Sequence, residues 1–118
     1  MTGRPSDAGA KAEVLAAAFL ERRGLVIVER NFRRRCGELD LVARDGGTLV
    51  FVEVRLRRGN AFGGAAASIT AAKRTRRVRA ASLYLAGVRG TPDCRFDAVL
   101  LDALDACRIE WLQDVIST

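Results

Sequence analysis

Three acidic residues, Glu38, Asp40 and Glu53, sit inside "GELDLVARDGGTLVFVEVR", residues 37–55. Around them apolar and polar residues alternate with a period of two on either side of "DGG", the pattern of a half-buried β-hairpin. Residues two apart on a strand share a face, which sets Glu38 with Asp40 and Glu53 with Arg55. A two-residue loop at Gly46-Gly47 puts Asp40 opposite Glu53 and Glu38 opposite Arg55. A loop at Asp45-Gly46 instead puts Glu38 opposite Glu53, with Asp40 on the diagonal. Either register gathers all four side chains on one face, whereas a slip by one residue separates them.

Carboxylates facing each other across a ladder repel, and burying each costs on the order of several kcal/mol unless a cation compensates. The pattern therefore points to a bound ion, with Asp40, Glu53 and Glu38 as its ligands. Oxygen donors without histidine or cysteine suit Mg²⁺ or Mn²⁺ rather than zinc. The competing reading makes these acids the wet face of a hairpin, paired with nearby arginines. A further acid, Glu13, lies on a helix beside Ala16, Ala17 and Leu20, from which a helix packed on the sheet could aim it at Asp40 and Glu53. Taken alone, Glu13 also reads as a solvated glutamate near a helix N-terminus, where negative charge is favoured.

The elements that must position these residues follow from the rest of the pattern. "AKAEVLAAAFLERR", from about Ala10 to Arg23, is rich in helix formers, with Val14, Leu15, Ala18 and Phe19 on one stripe and Gly24 as a C-cap. "LVIVERNF" and the two halves of the hairpin give three strands, an antiparallel meander. A glycine-rich loop leads to Thr70, which caps a second helix through about Leu85 that Gly87 ends. "CRFDAVLLD" reads as a fourth strand and "CRIEWLQD" as a weaker fifth. The order α-β-β-β-α-β-β predicts an α+β fold, an α/β sandwich with a mixed sheet and flanking helices.

A chain of 118 residues, 49% of them apolar, is one domain with a single modest core. The expected boundaries are a flexible N-terminus over 1–9 and a single domain over 10–118. Histidine is absent, which excludes a Ser-His-Asp triad, a Cys-His pair and a His-ligated zinc. Cys36, Cys94 and Cys107 are odd in number and form no CxxC pair, so neither a disulfide framework nor a structural zinc is expected, and a reducing, cytoplasmic setting fits. The opening "MTGRPSDAGA" lacks the apolar core of a signal peptide, and no run approaches the length of a membrane span.

Lys and Arg outnumber Asp and Glu by 20 to 14, a formal charge of +6, and the excess is concentrated. Lys73, Arg74, Arg76, Arg77 and Arg79 crowd the first turns of the second helix, where cations oppose the helix dipole at about 0.3–1 kcal/mol each. Phosphates of a nucleic acid would supply the missing countercharge, although a run of charge also forms an ordinary solvated face. With Arg57 and Arg58 of "RLRRGN" just after the acidic hairpin, the expected nucleic-acid contacts are Lys73, Arg74, Arg76, Arg77, Arg57 and Arg58. Phe32, Phe51, Phe62, Tyr84, Phe96 and Trp111 mostly fall in core-like patterns, leaving few rings to stack bases. Recognition by backbone shape and charge favours duplex or branched DNA.

"NFRRRCGELDLVARDGGTLVFVEVR", "FGGAAASITAAKRTRRVRAASLYL" and "CRFDAVLLD", in that order, resemble the YraN family of small bacterial proteins. These are predicted endonucleases related to Holliday junction resolvases, with the restriction-endonuclease-like PD-(D/E)xK core. The likeness extends from Lys11 to Trp111. It implies that Asp40 is the metal-binding aspartate, that Glu53 opens the ExK tripeptide, and that Glu13 is the helix-one glutamate. Two departures stand out: the tripeptide is "EVR", with Arg55 in the lysine position, and "GAKAE" lacks the glycine usual just before Glu13. A lysine there can position and deprotonate the attacking water, whereas arginine keeps its proton and can only clamp a phosphate or stabilise charge. Lys73 is a candidate replacement, or else a backbone contact. Asp97 reads as structural.

The leading function is a metal-dependent endonuclease acting on DNA, at junctions or flaps, with Asp40, Glu53, Arg55 and Glu13 as its catalytic set. A homodimer would match a two-fold-symmetric junction. The alternative is a nucleic-acid-binding module that keeps the nuclease fold without its chemistry. A basic RNA- or protein-interaction domain with no metal site is the third reading.

Overall fold

The computed structural model describes residues 7–57, 71–102 and 108–116. Their order is α1 (Asp7–Arg22), β1 (Val26–Arg34), β2 (Gly37–Asp45), β3 (Thr48–Arg57), α2 (Ala71–Ala86), β4 (Asp93–Asp102) and β5 (Ile109–Leu112). The five strands form one mixed sheet whose spatial order is that of the chain, β1-β2-β3-β4-β5. β1, β2 and β3 are the expected antiparallel meander, β3 and β4 run parallel, and β5 returns antiparallel along β4. The parallel step is the one that requires a crossover element, and α2 lies between β3 and β4 in the chain. Helix α1 begins at Asp7, ahead of the Ala10 boundary set from composition.

Successive residues of β3 enter opposite cores. Val50 and Val52 pack with α1, while Leu49 and Phe51 pack with α2. The sheet is thus covered on both faces. Helix α1 buries only part of the stripe that its larger side chains predict: Phe19 is in the core and Leu15 packs against it, but Val14 is not buried. Ala12, Ala16, Ala17, Phe19 and Leu20 are buried, whereas Val14 is 62% exposed. Alanines bring the helix axis close to the sheet, and Leu20 and Phe19 fill what remains, so the bulkier Val14 is turned outward. A Schellman motif closes the helix: Leu25 N–H donates to Leu20 C=O and Gly24 N–H to Glu21 C=O, with Gly24 at φ +93°. Thr70, the expected cap of α2, lies outside the described residues.

The β2–β3 turn is Gly46-Gly47, since Asp45 pairs with Thr48. Of the two registers open from sequence, this is the one that sets Asp40 toward Glu53. Helix α2 is seated on the other face by Ala80 and Ala81 and by Tyr84, whose ring meets Phe32 and Phe51 edge-on. Its first turns press against the start of β2. A Cβ placed on Gly37 would lie 2.0 Å from the carbonyl oxygen of Arg76, a backbone atom with no freedom to step aside.

Gly37 therefore sets how closely α2 approaches the acidic hairpin. Gly37→Ala should destabilise the fold by about 1–3 kcal/mol, the range of overpacking in a tight contact. The check is a denaturant midpoint that falls while the slope stays unchanged. A wild-type midpoint would show that α2 is free to recede.

Candidate functional site

Asp40 occupies the point where the hairpin opens. The β2–β3 ladder ends at Leu41↔Val52 although both strands continue, and Asp40 Oδ2 accepts the Val54 N–H at 2.8 Å. The carboxylate thus takes an amide that the ladder leaves free. Leu39 packs on the α2 side and Leu41 on the α1 side, two residues apart yet on opposite faces. β2 therefore turns over at Asp40, and the strict alternation read from sequence breaks at the residue of most chemical interest.

Glu53 is buried on the α2 side, 4% exposed, and Asp40 is 8% exposed. Both meet the guanidinium of Arg77, from the second turn of α2. Arg77 Nε stands 2.9 Å from Glu53 Oε1, its Nη2 is 3.9 Å from Asp40 Oδ2, and its Nη1 donates to the Glu38 carbonyl at 3.3 Å. Arg55 Nε is 2.5 Å from the other oxygen, Glu53 Oε2. These contacts neutralise charge without well-directed hydrogen bonds: Glu53 Oε2, Arg55 Nε and Arg77 Nε are buried atoms for which no partner has suitable angles. Arg77, expected as a phosphate contact, is here the inner counter-ion of the acid pair.

Burial raises the pKa of Asp40 from 3.8, with the Glu53 and Glu38 charges adding to the rise and Arg77 and the Val54 N–H opposing it. Glu13 is half-buried beside the sheet-facing alanines and feels the same cluster. Its pKa is raised by burial first and then by Asp40, against a hydrogen bond from Asn31 and the charge of Arg33. Asn31 reaches it from a left-handed position in β1, φ +54°. Neither Asn31 nor Gly37 was singled out from sequence. Asn tolerates that backbone region better than most residues, which is the one local signal Asn31 offered.

Next to the acids is a cleft of about 220 Å³ lined by Glu38, Arg55, Lys73, Arg76 and Arg77. Of the expected nucleic-acid contacts, Lys73, Arg76 and Arg77 thus meet at one cavity. Arg74 is exposed and outside its lining. The Arg57 side chain and Arg58 lie outside the described residues.

As a cation site, the donor set is a pair. Among the described residues no three acidic, cysteine or histidine side chains converge on one point, and Glu38 belongs to the cleft wall. Asp40 and Glu53, with a buried Glu53 oxygen lacking a directed bond, fit Mg²⁺ or Mn²⁺. Such ions take one or two carboxylates and complete their shell with water and substrate phosphate.

Asp97 shows the opposite arrangement. It is 1% exposed, and its two oxygens accept from Arg95 Nε, the Trp111 ring N–H at 2.9 Å and the Asp114 N–H at 2.9 Å. It straps the segment after β5 to β4, a structural task in keeping with its sequence reading. Arg95 carries the chain of charge on to Asp45 at 3.1 Å.

The raised Asp40 pKa fixes a sign. In the folded chain Asp40 holds its proton to higher pH than in the unfolded chain, so its contribution is favourable below about 3.8 and is lost as pH rises through the raised value. Asp40→Asn keeps an acceptor for the Val54 N–H and removes that loss. Its melting temperature should exceed wild type by a margin that widens between about pH 4 and pH 7. A margin that stays flat across the series would mean that Asp40 ionises without cost.

The model of the Uncharacterised protein family UPF0102 matches residues 12–101. A UPF0102 protein of Nitrosomonas europaea is 53% identical over 106 residues, covering 90% of this chain and 90% of the relative. One of Methylobacillus flagellatus is 52% identical, covering 92% and 96%, and one of Dechloromonas aromatica is 56% identical, covering 92% and 88%. The match spans most of α1, the acidic hairpin, α2 and nearly all of β4, so the elements that build the site are those that carry the likeness: this chain belongs to the UPF0102 family.

Proposed function

We propose that this protein is a metal-dependent, endonuclease-like protein that acts on the phosphodiester backbone of DNA. One observation carries the reading: a buried Asp–Glu pair at the mouth of a splayed hairpin adjoins a cleft walled by three arginines and a lysine. Buried acids alone would mark a structural ion pair, and exposed cations alone a solvated face. Their juxtaposition suits a substrate that is anionic and also needs its reacting centre polarised. The resemblance to the PD-(D/E)xK nucleases supports the same roles for Asp40 and Glu53. A divalent ion held by these two carboxylates would polarise the phosphoryl oxygens and lower the pKa of an attacking water.

The chain's own groups divide the remaining work. Arg76 and Lys73 hold the phosphate in the cleft, and Arg55 stabilises charge from beside Glu53. Arg55 cannot accept a proton. Glu38 and Lys73 are the lining residues able to exchange one. Glu13, coupled in charge to Asp40 and Glu38 from the α1 side, completes the acidic surround. Arg55 in contact with Glu53 also favours a second reading, a DNA-binding module that keeps the fold without its chemistry.

Purified protein should cleave linear, flap or four-way-junction DNA in Mg²⁺ or Mn²⁺, and Asp40→Ala should abolish that cleavage. Arg55→Lys should raise the rate about tenfold to a hundredfold with little change in binding, toward the low end of what a positioned general base contributes. Binding without cleavage in both proteins selects the module. Because Arg77 is tied to the carboxylates, the phosphate contact to remove is Arg76. Arg76→Ala should lower the slope of log affinity against log salt by about one unit. An unchanged slope would return α2 to an ordinary solvated face.

A further inference from the structure

Arg77 spreads one guanidinium over three acceptors, Glu53 Oε1 at 2.9 Å, the Glu38 carbonyl at 3.3 Å and Asp40 Oδ2 at 3.9 Å. A guanidinium committed to one carboxylate makes two parallel bonds of roughly 2.7–2.9 Å. Arg77 makes no such fork, and its buried Nε lacks a directed hydrogen bond, as does Glu53 Oε2. Asp97 shows that this fold can lock a buried carboxylate with directed donors. Glu53 is held by the charges of Arg55 and Arg77 in close contact rather than by directed hydrogen bonds.

The position of Arg77 is equally telling. It touches the acids and also lines the cleft with Arg55, Lys73 and Arg76, so a rotation of its side chain exchanges one environment for the other. Helix α2 has other anchors on the sheet besides that side chain. Ala80 and Ala81 are buried against the sheet, and the backbone at Arg76 rests on Gly37.

We infer that Arg77 is an internal counter-ion that holds the place of a divalent cation between Asp40 and Glu53, and that it turns into the cleft toward a phosphate when the cation enters. Cation and phosphodiester then bind cooperatively. The cation frees the arginine that the phosphate uses, and the phosphate holds the arginine away from the acids. The coupling is reciprocal, as any linkage between two binding equilibria must be. This inference rests on the nuclease-like reading of the same site.

Two measurements on the full chain test it, neither requiring cleavage. In the first, Mn²⁺ binding is followed by electron paramagnetic resonance without DNA for wild type, Arg77→Gln, Arg77→Lys and Asp40→Asn. Arg77→Lys keeps the charge but loses the broad planar fork, so it separates place-holding from simple repulsion and guards against a Gln variant that fails to fold. Both Arg77 variants should bind Mn²⁺ more tightly than wild type, by about fivefold or more, and Asp40→Asn should bind it weakly. In the second, fluorescence anisotropy compares a duplex oligonucleotide in EDTA and in Ca²⁺ at matched ionic strength. Ca²⁺ should tighten wild-type binding by about five- to a hundredfold and leave Arg77→Gln and Arg77→Lys nearly unchanged. If wild type binds Mn²⁺ through Asp40 while the Arg77 variants bind it no tighter and keep the Ca²⁺ effect, the inference falls and the nuclease-like reading stands. If no protein binds Mn²⁺ although all bind the duplex, both fall together.

Discussion

Two buried carboxylates need positive charge near them, and most of the arrangement around Asp40 and Glu53 answers that need. Arg77 supplies it from α2 and Arg55 from β3 itself. For Arg77 to reach, α2 must lie hard against the start of β2, which only a glycine at position 37 allows. For Asp40 to be reached, β2 must turn over between Leu39 and Leu41. The close approach of a helix and the turn of a strand thus bring positive charge to one point.

Among the described residues, buried acids are accommodated in two ways. Asp97 is satisfied by directed donors from Arg95, Trp111 and the Asp114 backbone, and the result is a fixed strap on the end of the chain. Glu53 has charge nearby but poor hydrogen-bond direction, and Asp40 keeps a raised pKa in spite of Arg77. A fully bonded buried charge rigidifies, whereas a partly bonded one stores unfavourable energy that a better partner can release. The acids at Asp40 and Glu53 are thus held less favourably than Asp97.

Helix α2 reconciles the basic run with this economy. Its N-terminal half carries no acid in the first turn, against the preference of the helix dipole. Its C-terminal half holds it down through Ala80, Ala81 and Tyr84 in the cluster with Phe32, Phe51 and Phe96. The division lets Lys73, Arg76 and Arg77 overhang the acids while the helix stays packed. The six aromatic residues named from sequence include Phe62, outside the described residues; Phe32, Phe51, Tyr84 and Phe96 join that cluster, and Trp111 packs against Phe19.

The sequence by itself determined the element order, the α+β class and the antiparallel meander, because each depends on local periodicity and turn chemistry. It also marked Glu13, Asp40, Glu53 and the basic helix as residues of interest from charge in unusual places. Tertiary structure alone decided which of the two glycine-turn registers is used. It decided which stripe of α1 is buried, where close approach favoured alanines over Val14. It also decided that Arg77, one cation among five in a run, faces inward while Arg74 faces solvent. Those outcomes depend on distances between segments far apart in the chain: Gly37 against Arg76, Arg77 against Glu53 and Glu13 near Asp40. No periodicity within a segment encodes a distance to another, and that is why these pairings became visible only when helix and sheet were packed together.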